Sequence, residues 1–252
     1  MIEDTNGFKA ELFAPCAQLE TGHFWFEARN ALLIWVLHKY FPGFKSFLDI
    51  GCGTGFILSR IQKEFPLARL VGSDIYTESL ARAKSRVPDG AFFQMDARHI
   101  PFENEFDIVA ALDVLEHIER DESVLIQMFQ ATAPGGGIIV AVPQHRFLWS
   151  PIDDYSCHKR RYSRNELVEK VSNAGFEVTR VTSFVSLLLP MMMLVRIKKS
   201  KNPHIHDPLE ELRIRGFLNT SLTTIMTLER FLIKGGLSFP AGGSLLMVAR
   251  HP

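Results

Sequence analysis

An apolar strand that runs directly into a glycine-rich turn and a helix constrains this chain most. Residues 47–56 read Phe-Leu-Asp-Ile-Gly-Cys-Gly-Thr-Gly-Phe. Glycine adopts backbone angles that other residues avoid, and it lets a ligand lie against the main chain at the mouth of a parallel sheet. A dinucleotide fingerprint needs glycine at position 56, where this chain has Phe56. The turn therefore predicts a cradle for a compact nucleoside without a pyrophosphate bridge.

A second acidic residue supports a nucleoside site. Asp74 ends the next apolar segment, Arg69-Leu-Val-Gly-Ser-Asp74. It lies about twenty residues beyond the glycines, where a carboxylate can accept hydrogen bonds from both ribose hydroxyls.

Six short motifs, in this order, resemble those of class I S-adenosylmethionine (SAM)-dependent methyltransferases, in their broad small-molecule branch. They are Leu-Asp-Ile-Gly-Cys-Gly-Thr-Gly at 48–55, Gly-Ser-Asp at 72–74, Gln-Met-Asp-Ala at 94–97, Phe-Asp-Ile-Val at 106–109, Val-Leu-Glu-His at 114–117 and Pro-Gly-Gly-Gly at 134–137. The resemblance implies an α/β, Rossmann-like fold with a seven-stranded, mostly parallel sheet, an antiparallel last strand and helices on both faces. SAM is the implied cofactor, and S-adenosyl-L-homocysteine the product.

The expected cofactor site lies at the carboxyl ends of the strands, where open α/β sheets bind ligands. Asp49 is expected to bind the methionine amino group. The resemblance places Asp96 and the Ala97 amide at the adenine edge, and Arg29 at the methionine carboxylate. The full predicted cofactor set is Trp25, Arg29, Asp49, Gly51, Cys52, Gly53, Gly55, Asp74, Ile75, Asp96, Ala97 and Leu112.

Two histidines are candidates for a catalytic general base. His117 follows the fourth strand, and an imidazole titrates near neutrality, which suits proton removal beside the methyl path. His158 lies in a polar and aromatic segment, 149–163, after the fifth strand. Either histidine could instead only orient its loop.

The same loops supply the candidates for binding the methyl acceptor. These are Asp113, Tyr155, Arg161 and Tyr162. The alternative for the 149–163 loop is that Asp153 or Asp154 pairs with Arg160 or Arg161 and ties it down.

No metal site is predicted from the sequence. Cys16, Cys52 and Cys157 form no Cys-x-x-Cys pair. His204-Ile-His206-Asp207 offers suitable ligand types, but nothing places a third or fourth ligand beside them.

Composition limits the partners and the compartment. The chain has 252 residues, is 46% hydrophobic and has a formal net charge of zero. A neutral chain without a basic stripe in its first 190 residues lacks the electrostatic footprint of a nucleic-acid binder. The acidic start lacks the basic and apolar regions of a signal peptide, and the scattered cysteines argue against a disulfide framework. The expected compartment is the reducing cytoplasm.

Hydrophobic periodicity predicts alternating helices and strands. Helices are expected at 27–41, 56–65, 77–87 and 121–133, and strands at 69–74, 91–95, 106–112 and 137–142. A capping box at Ser163-Arg-Asn-Glu166 opens another helix, and Gly175 ends it. Strands at 176–183 and 244–250 complete the sheet. The expected organisation is a single domain: a helical flank or lid at 1–45, a SAM-binding core at 46–183, a helical insertion at 184–241 and a final strand at 242–252.

The insertion between strands six and seven is apolar and basic. Its first fourteen residues, 184–197, are interrupted by Pro190 and are too short to span a bilayer. Residues 184–241 contain eight basic and four acidic residues, a local charge of +4. The expected role is a cap whose apolar faces pack on the core. The alternative is a peripheral membrane or amphiphile contact through 184–201, with Lys198, Lys199 and Lys201 at the headgroups.

Together these patterns predict a SAM-dependent methyltransferase that acts on oxygen or nitrogen of a small molecule, such as a saccharide or a lipid-linked compound. An NAD-dependent oxidoreductase is one alternative, which Phe56 and the position of Asp49 disfavour. A non-catalytic SAM-binding protein is the other. The oligomeric state is not predicted.

Overall fold

The computed structural model describes residues 13–200, 214 and 216–252. Seven strands form one sheet. They are β1 (Ser46–Ile50), β2 (Arg69–Asp74), β3 (Ala91–Gln94), β4 (Phe106–Leu112), β5 (Thr132–Pro143), β6 (Glu177–Phe184) and β7 (Ser244–Arg250). The spatial order is β3-β2-β1-β4-β5-β7-β6. β7 runs antiparallel to both of its neighbours, β5 and β6, while the other pairings are parallel. This confirms the predicted fold class.

Helices cover both faces of the sheet. They are α1 (Phe13–Glu20), α2 (Phe24–Tyr40), α3 (Phe56–Glu64), α4 (Thr77–Arg86), α5 (Asp121–Ala131), α6 (Pro151–Tyr155), α7 (Arg164–Asn173), α8 (Leu189–Ser200) and α9 (Gly216–Lys234). One core cluster joins the sheet to α2, α3, α4 and α9, and a second joins its other face to α5 and α7. Successive strand residues supply the two faces in turn, so Phe47 belongs to the first cluster and Leu48 to the second.

The predicted elements between 46 and 250 are confirmed to within a few residues, with two differences. β5 begins at Thr132, which pairs with Phe106, rather than at 137. α6 and the short 3-10 turns at Leu115–His117 and Arg146–Leu148 were not predicted. The capping box at Ser163 is present, and Gly175, with φ of +105°, follows α7. α6 and the two 3-10 turns were not predicted because they are too short for helical periodicity to be visible in a sequence.

The insertion is helical in its described parts. Pro190 lies in the first turn of α8, where a missing amide hydrogen costs no helical bond. α9 packs against α2, and Asn219 on α9 accepts a hydrogen bond from the Phe24 amide (2.9 Å) while donating to the Gly22 carbonyl (2.8 Å). Buried Glu229 accepts a hydrogen bond from the Leu187 amide (2.8 Å). The insertion is thus fastened to the first helices and to the end of β6. His204, His206, Asp207 and Lys201 lie outside the described residues.

Candidate active site

A large cavity opens at the carboxyl ends of the parallel strands. Its volume is about 1210 Å³. Pockets for one drug-sized ligand span roughly 300–1,000 Å³, so this cavity has room for more than a single small ligand. Its walls come from α2, the glycine turn, the ends of β2 and β4, the turn after β4, the segment after β5 and the insertion. Every predicted cofactor residue except Gly55 lines it.

The glycine turn forms the floor of the cavity because two of its positions exclude a side chain. Gly51 has φ of +67°, and a Cβ there would lie 2.5 Å from Cγ2 of Val114. Gly55 has φ of +72°, and a Cβ there would lie 2.9 Å from the Cα of Ala83. Gly55 lies on the side of the turn away from the cavity, where the lack of a side chain lets α3 approach α4 closely. This close packing explains why Gly55 shapes the cradle without facing the cavity.

The carboxylate of Asp74, at the end of β2, is bound by two backbone amides. One carboxylate oxygen accepts a hydrogen bond from the Gly53 amide (2.9 Å), and the other accepts one from the Tyr76 amide (3.0 Å). Burial raises the pKa of Asp74, while these amides act in the opposite direction. Asp74 lines the cavity, and a carboxylate there is the kind of acceptor that ribose hydroxyls require.

Asp49 and Arg29 meet at the centre of the cavity. Oδ1 of Asp49 is buried and accepts no hydrogen bond from the described part of the chain. Burial raises the pKa of Asp49 to about 7, against the lowering effect of Arg29. The Arg29 guanidinium pairs with Asp113 and lies 4.5 Å from the centre of the Trp25 ring. Its buried Nε has no hydrogen-bond partner among the described residues. An unpaired acceptor beside an unpaired donor suits the amino and carboxylate groups of an amino acid.

Asp96 lines the cavity near the end of β3, where Arg98 already engages it. Nε of Arg98 lies 2.9 Å and 3.0 Å from the two carboxylate oxygens, and Nη2 lies 2.6 Å from Oδ2. Burial raises the pKa of Asp96, but the Arg98 hydrogen bonds outweigh it and bring the pKa below its usual value. Asp96 thus lines the cavity with its carboxylate already bound to Arg98.

Glu116, His117 and His158 also line the cavity and form what we term the Glu-His-His cluster. The His117 and His158 rings are 4.7 Å apart, edge to face. Glu116 is fully buried, and burial raises its pKa well above the usual value. Burial and the neighbouring His158 lower the pKa of His117 to about 3, so this imidazole is neutral at physiological pH. Glu116 was part of a motif quoted from the sequence, yet it was not predicted as a site residue.

Asp153 holds His158 in place. Its Oδ1 lies 2.8 Å from Nδ1 of His158. Arg161 grips the same carboxylate with Nε (2.7 Å) and Nη2 (2.9 Å). Burial acts to raise the pKa of Asp153, but the hydrogen bonds and charges of His158 and Arg161 have the larger effect and lower this pKa to about 2. The pairing of Asp153 with Arg161, one of the alternatives open from the sequence, is present.

Two predicted acceptor-binding residues lie outside the cavity. Tyr162 is fully buried in the core on the other face of the sheet, where its hydroxyl donates to Asp121 (2.6 Å). Arg160 pairs with the same aspartate rather than facing a ligand. Tyr155 on α6 is partly buried and does not contribute to the wall. The assignment of Tyr162 to a substrate site is therefore wrong, because its hydroxyl satisfies a buried carboxylate.

Residues of α1 and α8 also line the cavity, and of these Glu20 was not predicted as a site residue. Glu20 at the end of α1 is buried, accepts a hydrogen bond from the Thr54 hydroxyl (2.6 Å) and pairs with Arg86. Met191 and Met192 of α8 line the acceptor side, whereas Met193 does not. A charged residue at a helix end carries no local signal that it will meet the glycine turn. Glu20 therefore could not be found by periodicity.

Part of the chain matches known methyltransferases. Residues 48–140 match a family model described as "Methyltransferase domain". Trans-aconitate 2-methyltransferase from Variovorax paradoxus is 32% identical over 100 residues, which is 39% of each chain. Residues 48–140 thus resemble a methyltransferase domain.

Solved structures extend the likeness of the fold beyond that domain. A chain in the complex between the Haloferax volcanii Trm112 methyltransferase activator and a methyltransferase aligns over 100% of both chains, with a TM-score of 0.64 and 18% identity. Phosphoethanolamine N-methyltransferase 2 from Haemonchus contortus, in complex with SAM, has a TM-score of 0.59 at 20% identity and covers 88% of this chain and 52% of its own.

The sequence relatives match only in part. The first three alignments span 39%, 52% and 60% of the relatives' own lengths. Separately, in the part of the chain that the structure describes, no helix combines the length and apolarity needed to cross a bilayer.

Proposed function

We propose that the protein binds SAM over the glycine turn and transfers its methyl group to an oxygen or nitrogen of a small molecule held at the Glu-His-His cluster. The observation that carries this proposal is a shared cavity. The predicted cofactor residues other than Gly55 and the Glu-His-His cluster line the same cavity. A bound sulfonium makes the methyl group electrophilic, so the protein's part is alignment and proton removal.

The residues at the cofactor end fit SAM by their unpaired polar atoms. Buried Oδ1 of Asp49 suits the amino group, and Nε of Arg29 suits the carboxylate. Asp74 would receive the ribose hydroxyls, and the Ala97 amide would face adenine. NAD fits less well, because Phe56 occupies the position that needs the third glycine of a dinucleotide fingerprint.

Of the two candidate bases, His158 is the better placed. Asp153 fixes its ring through Nδ1 and leaves Nε2 directed towards Glu116 Oε1, 4.0 Å away, on the cavity wall. This carboxylate–imidazole pair is the arrangement that orients a base and stabilises its protonated form in hydrolases. His117 lies in the short 3-10 turn after β4, and its ring forms a hydrogen bond with the Ser156 backbone, which favours a role in shaping the turn.

The apolar mouth of the cavity supports an amphiphilic acceptor. Met191, Val195 and Leu218 line the cavity and are also 40%, 44% and 47% exposed. Leu194 and Phe217 extend this surface, at 68% and 88% exposure. We propose that the acceptor's reactive group lies at the cluster while its apolar portion leaves between α8 and α9, beside a membrane surface.

Calorimetry with SAM, S-adenosylhomocysteine and NAD tests the cofactor assignment. We expect saturable binding of the first two and none of NAD; saturable NAD binding with no SAM binding would overturn the proposal. Any isotopic methyl transfer from SAM to candidate acceptors then separates an enzyme from a SAM-binding protein.

Liposome co-sedimentation tests the surface role of the insertion. Binding should require anionic lipid and weaken with salt, at about 1 kcal/mol per lysine near the surface. Replacing Lys198, Lys199 and Lys201 with glutamate should abolish it and leave SAM affinity unchanged. The same triple change at Lys39, Lys45 and Lys63, which lie outside the insertion, is the matched control. A wild-type protein that ignores anionic liposomes would refute membrane contact.

A further inference from the structure

Three side chains of metal-binding type converge at the acceptor end of the cavity. Glu116, His117 and His158 each offer one ligand atom, and these atoms lie within 4.8 Å of one another. In a tetrahedral site, ligand atoms about 2.1 Å from the metal lie about 3.4 Å apart, so the most distant pair would have to approach by up to about 1.4 Å. Rotamer adjustment in side chains that border a cavity can supply such a movement.

Glu116 supplies an independent sign that a ligand belongs here. It is fully buried at the cavity wall, and neither carboxylate oxygen accepts a hydrogen bond from any residue in the described ranges. A buried carboxylate without partners is costly unless a cation or hydrogen-bond donor meets it. Arg161 is already committed to Asp153, and Arg29 pairs with Asp113. These two guanidinium groups are therefore engaged elsewhere.

The surroundings of His158 match those of a metal-bound imidazole. Histidine ligands usually donate their other ring N–H to a carboxylate, which fixes the tautomer and the ring orientation. Asp153 Oδ1 occupies that position, 2.8 Å from Nδ1. Nε2 is then the nitrogen left to coordinate, and it is the atom that faces Glu116.

We propose that Glu116, His117 and His158 bind one divalent transition-metal cation, with its open coordination positions facing the acceptor. Two imidazoles and one carboxylate favour zinc, iron, cobalt or nickel over magnesium or calcium, which prefer oxygen ligands. Three protein ligands leave at least one position for another molecule, as in catalytic metal sites.

The role of the cation rests on the proposed function. An acceptor hydroxyl bound to the metal through its oxygen would have a lowered pKa and release its proton to water in the open cavity. The oxygen would then be held as an anion at the end of the methyl path. With the metal bound, Nε2 of His158 is a ligand, and the cation takes over the activation of the acceptor.

Titration of the chelator-treated protein with Co²⁺ alone tests the site, by visible absorption and calorimetry. We expect one equivalent to bind and to give a ligand-field spectrum indicating nitrogen coordination. Glu116→Gln and His158→Gln should each weaken binding at least tenfold, and Asp153→Asn should weaken it by about 10–100-fold through the outer hydrogen bond. Glu64→Gln and His38→Gln alter an exposed histidine–carboxylate pair (2.7 Å) and are the matched controls.

The outcomes separate this inference from the proposed function. SAM binding is measured by calorimetry on the same samples. A folded wild-type protein that binds SAM but takes up no stoichiometric Co²⁺ overturns the metal site alone. Stoichiometric Co²⁺ binding that Glu116→Gln and His158→Gln leave unchanged places the cation elsewhere and also overturns it. Co²⁺ binding at the cluster without any SAM binding supports the site and contradicts the proposed function.

Discussion

The affinity for SAM should fall as the pH is lowered through neutrality, because Asp49 must be ionised to bind an ammonium group. Burial raises the pKa of Asp49 to about 7 in the free protein, with Arg29 lowering it and Asp74 raising it further. If only the carboxylate form binds well, the fraction able to bind is about 0.9 at pH 8 and about 0.1 at pH 6, by ordinary titration. Binding should therefore weaken about tenfold, or about 1.4 kcal/mol, over this interval.

Isothermal titration calorimetry in buffers of different ionisation enthalpy measures this effect directly. Binding should release about half a proton at pH 7 and nearly a whole one at pH 6. The amino group of SAM gains its proton as the pH falls, which favours binding and acts in the opposite direction. Asp49→Asn should bind more weakly at pH 8 and lose this dependence. A wild-type affinity that is constant from pH 6 to pH 7.5, or an equal dependence in Asp49→Asn, would refute the reasoning.

Three further outcomes follow from the same geometry. The pKa of Asp49 is higher in the folded protein than in the unfolded chain. Its contribution to stability is therefore fullest below about pH 4 and is lost as the pH rises through about 7. Thermal melts at pH 8 should show that Asp49→Asn raises the Tm of the ligand-free protein by at least about 2 °C. Asp74→Ala should weaken SAM binding by about 1–3 kcal/mol in calorimetry, whereas Asp89→Ala at an exposed site should not; equal affinities would remove Asp74 from the site. His158→Ala should reduce turnover by roughly 10²–10⁴-fold with SAM affinity nearly intact, and a rate equal to that of His38→Ala would exclude His158 from the chemistry.

The sheet could be predicted from the sequence because each strand carries its own local signal. β2 ends at Asp74, β4 is followed by Asp113 and β7 is preceded by Gly243, and the bounds of all three strands were predicted to the residue. The grouping of the predicted cofactor residues around one cavity was predictable for the same reason, since they follow strand ends that the parallel sheet brings to one edge.

The acceptor end was harder to predict because its residues are distant in sequence. Nothing near His117 signals that His158 will lie 4.7 Å away, or that Glu116 will be buried without a partner. Tyr162 was predicted to contact a ligand, but its hydroxyl donates a hydrogen bond to buried Asp121, which is distant in sequence. Such pairings depend on tertiary packing and leave no mark in local composition.

The most direct test of the central claim is a crystal structure with S-adenosylhomocysteine. The account predicts both ribose hydroxyls within hydrogen-bond distance of Asp74 and the amino group at Asp49. It also predicts that the sulfur faces Glu116 and His158 across open space. A nucleoside bound away from Asp74, or a sulfur directed away from that end of the cavity, would contradict it.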